Sequence, residues 1–370
     1  MPIAHANSIG TYGATLASPS VAEKGSINMR LSISTRGGHS SFPPPHTSIG
    51  LLSRLVTELE SHPFEPRIGD AHRPDMQQLL CKLDAPQMPA ALREALLELV
   101  RAERSSSAAF STRYAALLPR WWQHISSRWI APAASARLES ARQRVLAAMS
   151  DLDRALVSTT QAVDVFHGGI KVNALPERAE IMVNHRVALN SNLAEVIQHY
   201  EDMLTRLAAT YNFSVTSFGR PIVPATNASA AHVTMTDSSF TRDTLPQTPF
   251  TGQNASAWRL LSRVIRQTWH LDEPRYALRS ELDEDEPRRS KSYMQPVRVA
   301  PSTLFASTDT AWYVNLTAHV IRFAGGSVHP DLTGMLENMH TVNEHISIDA
   351  AVKLVDFYTN LMVAAGYEDM

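Results

Sequence analysis

The sequence predicts a mixed α/β fold of the α+β type, in which a small sheet domain is interrupted by a helical insertion. Residues 26–35 and 179–189 alternate apolar and polar side chains with a period of two, which is typical of half-buried strands. Residues from about 86 to 157 instead carry apolar side chains at helical spacing, with no clear strand pattern among them. The insertion is therefore predicted to be all-helical.

The predicted elements around the insertion follow the order strand, helix, strand, strand, helix, strand. The first strand runs through Gly37-Gly38 into a helix whose N-cap we expect to be Thr47. The later elements are strands at 159–166 and 179–189, a helix at about 193–210 and a strand at 213–219. This order is that of a small ferredoxin-like sheet.

The chain is predicted to divide at residues 22 and 220. Residues 1–22 are small and polar, and residues 23–220 hold the sheet domain with its insertion. Residues 221–370 begin with a loop-rich stretch and contain two helices, at about 255–269 and 349–365. A dense run of mixed charge at 281–291 indicates a solvated segment without a functional interpretation.

Composition argues against several kinds of partner. The 370 residues carry 34 Lys and Arg against 36 Asp and Glu, so no basic excess predicts a nucleic-acid partner. No run of about 20 apolar residues predicts a membrane span, and the first residues lack a targeting signal. Cys81 is the single cysteine, so it cannot form an internal disulfide and is predicted to be a buried, small apolar side chain.

His39 is a candidate catalytic residue. It follows two glycines directly after the first predicted strand, where backbone can approach a ligand, and two serines come next. A histidine in such a loop can donate a hydrogen bond to a developing oxyanion. A turn or capping histidine is the structural alternative.

Asn173 and Arg186 are candidate substrate-binding residues. One precedes and the other ends the strand 179–189, and such a pair could converge on a carboxylate. An arginine fork binds a carboxylate through two parallel hydrogen bonds, and an amide adds a third donor. An arginine on the solvent-facing side of a strand is the ordinary alternative.

Two further segments contain residues suited to a site. His340, in the segment 339–345, is a candidate metal ligand, and Glu344 could support it from the outer shell. Asp309 follows Ser307-Thr308 and either caps a helix or lines a site, of which capping is the simpler interpretation. One histidine does not make a zinc site, because a catalytic zinc needs three protein ligands.

Several blocks of the sequence occur in the order typical of one family. They are Glu23-Lys-Gly25, the GGHSSFPPPHTSIG run from Gly37 to Gly50, TTQAVDV with GGIKVNALPE between Thr159 and Glu177, VNHRVA, STDT, and HTVNE from His340. From about Ser20 to Leu361 the chain resembles the carboxypeptidase S branch of the zinc aminoacylase and carboxypeptidase family, peptidase family M20. The resemblance implies that residues 23–220 are a ferredoxin-like lid, or dimerisation, domain. It also implies that residues 1–22 and 221–370 are parts of an α/β di-zinc-peptidase catalytic domain.

The resemblance also implies roles for the candidate residues. His39 would reach from the lid of one protomer into its partner's active site and steady the oxyanion, so the lid would form a homodimer. Asn173, Arg186, Ser307 and Thr308 would bind the carboxylate of a peptide or an N-acyl amino acid, and His340 would be a zinc ligand. The family branch usually has Gly-Asn where this chain has Ala306-Ser307, which is a departure in the substrate loop.

The family's other metal ligands and its general base have no counterpart in this sequence. Two zincs share a bridging carboxylate in such enzymes, and a Glu-Glu pair contains the base, but no adjacent Glu pair occurs here. We therefore expect a truncated chain that is inactive alone, from a parent enzyme of the vacuole or secretory pathway. A non-catalytic dimerisation partner is the alternative. A site rebuilt from His167, His185, His329 or His345 is a third possibility that no spacing favours.

Overall fold

The structure is a computed structural model of the chain. It describes residues 12, 16–70, 72–109, 131–226, 229–238, 241–270, 297–324, 342 and 348–367. The strands are β1 (Leu16–Ala17), β2 (Ser20–Glu23), β3 (Gly25–Thr35), β4 (Gly38–His39), β5 (Thr160–Gly168), β6 (Ala174–Leu175), β7 (Arg178–Val187), β8 (Phe213–Ser217), β9 (Arg220–Val223), β10 (Ala231–Asp237), β11 (Arg298–Val299) and β12 (Ser302–Leu304). The helices are α1 (Ser48–Ser61), α2 (Pro74–Leu80), α3 (Ala90–Ala109), α4 (Ala131–Ala148), α5 (Asp151–Val157), α6 (Leu193–Tyr211), α7 (Ser256–His270) and α8 (Ile348–Tyr367), with a 3₁₀ turn at Asp309–Trp312.

A six-stranded sheet in the order β5-β7-β3-β10-β8-β9 forms the centre of the predicted lid domain. The pairs β5–β7, β7–β3 and β3–β10 are antiparallel, β10 runs parallel to β8, and β9 closes a hairpin with β8. The predicted α+β fold is confirmed. Without β10, the order and directions are those of the ferredoxin-like arrangement that the sequence predicts.

The sheet extends beyond the last strand that the sequence analysis predicted. Phe218 and Gly219 both have positive φ angles, which suits the two central positions of a tight hairpin turn, and β9 follows them. Strand β10 then inserts between β3 and β8, within the stretch that was expected to be loop-rich. The boundary predicted at residue 220 thus falls inside one sheet.

The lid core lies between one face of the sheet and helices α1 and α6. Alternate residues of β3 are completely buried: Ile27, Met29, Leu31 and Ile33. Thr47 caps α1 as predicted, since its hydroxyl accepts a hydrogen bond from the Gly50 N–H at 3.1 Å. The burial of alternate strand residues against two amphipathic helices explains why this part of the sequence was readable from periodicity alone.

Helices α2 to α5 form a second core, in agreement with the predicted helical insertion. The first helix of the insertion begins at Pro74, before the start of the insertion that was predicted near residue 86. Apolar residues from Ile68 to Val157 make up this core, and the buried side chains of Lys82 and Asp153 pair inside it at 3.8 Å. Cys81 at the end of α2 is only partly buried, unlike the prediction, and it is a free thiol.

The beginning and the end of the described chain lie together. Strand β1 pairs in parallel with β11, and β2 pairs in parallel with β12. Helices α7 and α8 pack against each other, and Ala17, Val264, Trp269 and Phe357 belong to their shared core. Among the residues that the structure describes, no helix has the length and apolar character of a membrane span.

Candidate functional site

Arg186 lies near the end of β7, where the lid sheet meets β2 and the Ser307-Thr308 loop. Its Nη1 donates to Ser307 Oγ at 2.5 Å and is 3.4 Å from Ser26 Oγ. Within the described part of the chain, its guanidinium contacts hydroxyl groups and forms no ion pair with a carboxylate. Partial burial lowers the pKa of Arg186 from its ordinary value, but arginine remains a cation at neutral pH. An incoming carboxylate would therefore find a charged partner that is not already neutralised.

The Ser307-Thr308 loop is fixed by the buried carboxylate of Glu23, at the end of β2. The Thr308 N–H donates to Glu23 Oε1 at 3.0 Å, and the Thr308 hydroxyl donates to Oε2 at 2.8 Å. Thr310 adds a third donor to Oε2 at 3.0 Å. Thr308, rather than Asp309, is the residue whose side chain caps the following 3₁₀ turn. Capping was thus expected correctly for this segment but assigned to the neighbouring residue.

Two arginines share the Glu23 carboxylate. Arg322 Nε lies 2.8 Å from Glu23 Oε2, and Arg242 forms an ion pair with Oε1. Burial lowers the pKa of Arg322 to about 10. Arg242 and Arg322 share one carboxylate, and Arg186 contacts none among the described residues, so the three arginines carry an excess of positive charge. That excess favours binding of an anion.

Backbone pairing sets Arg186 and Arg242 on either side of Ser26. Ser26 pairs with Arg186 across β3 and β7, and an isolated bridge pairs it with Arg242 on its other side. Directly paired residues of neighbouring strands project from the same face of a sheet. Sequence analysis missed Ser26, Arg242 and Arg322 because they lie far apart in the chain. The Glu23-Lys-Gly25, VNHRVA and STDT blocks were the sequence signals that pointed to this part of the structure.

His39 and Asn173 lie together at the other end of the sheet, on the β4–β6 ribbon. His39 pairs with Ala174, and the Ser40 N–H donates to the Asn173 carbonyl at 3.3 Å. His39 Nδ1 accepts a hydrogen bond from the Ser41 N–H at 3.1 Å, which leaves Nε2 as the protonated donor of the neutral ring. Both side chains are exposed. Ile170, at the same tip, is fully exposed as well.

Within one chain, the β4–β6 ribbon with His39 and Asn173, the tip of the sheet, is far from Arg186. Arg186 pairs with Ser26 at one end of β3, whereas Arg178 pairs with Ser34 near the tip. Eight residues of extended strand separate these pairs, roughly 26 Å at the usual rise per residue. The sequence analysis had considered convergence of Asn173 and Arg186 on one carboxylate. In this geometry the two residues can act on one ligand only if they come from different protomers.

The metal-binding expectations fall largely outside the described residues. His340, His329 and His345 all lie there. Among the residues that are described, no group of three or more His, Cys, Asp or Glu side chains is placed to hold a metal ion. His185 is buried in the lid core beside the Tyr200 hydroxyl, 3.1 Å away, and burial lowers its pKa to about 4. His167 stands on the edge strand β5, opposite Glu180.

The curated relatives of this chain include a carboxypeptidase and an acyl-amino acid hydrolase. Carboxypeptidase S of Saccharomyces cerevisiae is 28% identical over 349 residues, which cover 94% of this chain and 50% of that protein. An N-fatty-acyl-amino acid synthase/hydrolase of Bos taurus is 26% identical, with 91% of this chain and 48% of that protein covered. The chain thus spans about half the length of the curated relatives it matches.

A solved structure and one family model also resemble this chain. A metallo-carboxypeptidase of the M20 family from Sulfolobus solfataricus is 12% identical, with a TM-score of 0.46 over 95% of this chain and 61% of the other. Residues 21–212, more than half of the chain, match the model of the M20 peptidase dimerisation domain. This protein is therefore a member of the M20 peptidase family.

Proposed function

We propose that this protein takes part in a zinc metallocarboxypeptidase or N-acyl amino acid amidohydrolase reaction. In that reaction the amide bond next to a free carboxylate is cleaved. The observation that carries the proposal is Arg186, whose guanidinium is held by Ser307 without an acidic partner among the described residues. Relatives with carboxypeptidase and acyl-amino acid hydrolase names support this substrate class.

In this proposal the substrate carboxylate binds at Arg186. The planar guanidinium offers parallel N–H donors that match the two carboxylate oxygens. Ser307 Oγ keeps the guanidinium in place, and Thr308 is held next to it by Glu23. The remaining positive charge of the Arg242 and Arg322 pair favours an anion at the same end of the sheet.

We propose that His39 and Asn173 act in the partner protomer of a homodimer. Their distance from Arg186 within one chain supports action across the dimer, as does the match to a dimerisation domain. His39 Nε2–H is a suitable donor to the oxyanion that forms when the amide carbonyl is attacked. Asn173 then adds an amide donor beside it.

Zinc and its ligand His340 belong to the same proposal. When bound, a zinc ion lowers the pKa of a water molecule so that it can attack the amide carbonyl. The described residues offer no group of three candidate ligands, so their proposed part is to bind the carboxylate and to stabilise the oxyanion. One residue of the sequence, His340, matches a family metal ligand, and we propose that the 370-residue chain alone does not hydrolyse substrate.

Zinc content and turnover of the purified 370-residue chain test this proposal together. We expect less than one tightly bound zinc per chain by elemental analysis and no release of amino acid from a blocked dipeptide. Two zincs per chain with hydrolysis would show that the chain builds its own di-metal site. Co-expression with an intact family member distinguishes the alternative: a stable heterodimer that retains the intact member's activity would identify a non-catalytic dimerisation partner.

Substitution of Arg186 tests the carboxylate site directly. We expect Arg186→Gln to weaken binding of N-acetyl-leucine roughly tenfold to a hundredfold, because charged hydrogen bonds are lost. Binding of N-acetyl-leucinamide, which has no carboxylate, should not change. Arg178→Gln, at the other end of the same strand, is the matched control. Equal loss for both ligands, measured by isothermal titration calorimetry, would contradict a carboxylate role.

We propose a vacuolar or other secretory-pathway location, in line with the resemblance to carboxypeptidase S. Four Asn-X-Ser/Thr sequences occur, and three of their acceptors, Asn212, Asn254 and Asn315, are exposed. Protein from the native cell that shows no mass change on enzymatic removal of N-glycans would count against this location.

A further inference from the structure

We propose that Glu23 is the positioning residue of the carboxylate site, and that it acts on Arg186 through Thr308 and Ser307. The inference rests on the proposed function, since it explains how the substrate-binding arginine is held. Glu23 does not contact Arg186 itself in the contacts described above. Its effect on the ligand must therefore be transmitted by the loop.

The environment of Glu23 is that of an ionised, fully enclosed carboxylate. Its side chain has no solvent exposure, and two guanidinium groups together with the Thr308 and Thr310 donors surround it. A buried charge is stable only when it is paired and hydrogen-bonded. Both carboxylate oxygens of Glu23 accept hydrogen bonds, so the carboxylate is held in a single orientation. The groups that donate to it are therefore held in place as well.

The connection from Glu23 to Arg186 has two steps. Thr308 is held at two points, because its N–H and its hydroxyl bind different oxygens of Glu23. Ser307 is the preceding residue, so its hydroxyl is presented to Arg186 Nη1 at 2.5 Å. The other described contact of this guanidinium, with Ser26 Oγ at 3.4 Å, is long. The contact of Arg186 with Ser307 is thus the shorter of the two, and Glu23 fixes the position of Ser307 through Thr308.

A purely electrostatic role of Glu23 and a positioning role predict opposite changes in ligand affinity when the Glu23 charge is removed. Glu23→Gln makes the cluster more positive, so a purely electrostatic role predicts tighter binding of a carboxylate ligand. A positioning role predicts weaker binding, because the loop is released and Arg186 loses its anchor. The sign of the change therefore separates the two explanations.

The experiment uses the 370-residue chain with four variants: Glu23→Gln, Ser307→Ala, their combination, and Glu201→Gln. Glu201 is a matched control, since it is also buried and binds Arg220 and Ser217, but on helix α6. Calorimetry gives the Kd of N-acetyl-leucine and of N-acetyl-leucinamide. The ¹⁵N-detected Nε–H signal of the Arg186 side chain reports its order without any ligand.

We expect Glu23→Gln and Ser307→Ala each to weaken N-acetyl-leucine binding about tenfold, in the range of a lost charge-assisted hydrogen bond. The double variant should be no weaker than either single variant, because both changes break the same connection. The Arg186 signal should broaden or shift in both single variants and remain unchanged in Glu201→Gln.

Three results would overturn the inference. They are tighter N-acetyl-leucine binding in Glu23→Gln, additive losses in the double variant, and an unchanged Arg186 signal. If Glu23→Gln fails to fold by circular dichroism, Thr308→Val replaces it. That variant removes the Thr308 hydroxyl, with its bond to Glu23 and its cap on the 3₁₀ turn, and keeps the carboxylate. If Arg186→Gln leaves N-acetyl-leucine binding unchanged while the Arg186 signal still responds to Glu23→Gln, the proposed function fails and the structural connection stands.

Discussion

Lys24 is an amine enclosed by protein at the point where the lid meets the helical insertion. It is 1% exposed, and its Nζ donates to the carbonyl oxygens of Ala155 and Ser158 at the end of α5, each at 2.5 Å. Burial lowers the pKa of Lys24 to about 7; nearby Asp75 opposes this decrease, and Arg186 adds to it. The residue joins the insertion to the strand that follows Glu23.

This pKa predicts a pH-dependent stability. Between about pH 7 and the ordinary lysine pKa near 10.4, the unfolded chain holds a proton at Lys24 that the folded chain has lost. The free energy of unfolding therefore rises with pH in this window, by up to about 1.4 kcal/mol per pH unit from this group. Lys24→Met should lack this contribution. Urea unfolding at pH 7 and pH 9 measures it, and a difference between the two proteins that does not change with pH would refute it.

Strand β5 is an edge of the described sheet, and its outer backbone groups have no neighbouring strand there. Its exposed side chains are Ala162, Asp164, Phe166 and His167, so this edge carries one carboxylate and no lysine or arginine. Unprotected edges of this kind are suited to pairing with another chain. A dimerisation domain matched over the same residues makes β5 the element that we expect at the homodimer interface.

Lysines on this edge should therefore separate the protomers. We expect the native chain to sediment at twice its mass of 40.8 kDa, and the variant Ala162→Lys with Phe166→Lys to sediment as a monomer. The pair Thr57→Lys with Thr210→Lys adds the same charge on exposed helix positions and should leave the dimer intact. A dimer that survives the β5 lysines in analytical ultracentrifugation would place the interface elsewhere.

At the scale of the whole molecule, helix α8 is apolar on both sides. One side packs on α7 with Phe357 buried, and the other exposes a stripe that includes Ile348, Val352, Val355 and Met362. Exposed stripes of this kind promote association.

At higher concentration, the dimer expected from β5 should therefore associate further through α8 unless that stripe is covered. We expect Val355→Lys with Met362→Lys to raise the concentration at which the chain remains monodisperse and to reduce binding of a hydrophobic dye. The exposed-helix pair Thr57→Lys with Thr210→Lys again supplies the same charge elsewhere. Equal improvement by both pairs, measured by light scattering, would show a general charge effect instead.

Local pattern was sufficient for much of the fold. The period of two in β3 and β7, and the helical spacing of α1 and α6, were readable because one face of each element is buried against a single core. Strand β10 carries the same alternation, but it lies in the stretch after residue 220 that was interpreted as loop-rich, so it was not distinguished. Its insertion between β3 and β8 is a long-range pairing that no local pattern specifies.

The sequence by itself determined the family, the lid with its helical insertion, and the identity of the candidate residues. Only the tertiary structure decided which of them lie close together. It separated His39 and Asn173 from Arg186, and it brought Glu23 to the Ser307-Thr308 loop from 285 positions away. The physical reason is that strand and helix periods arise from neighbouring residues, whereas a buried charge takes its partners from wherever the chain returns.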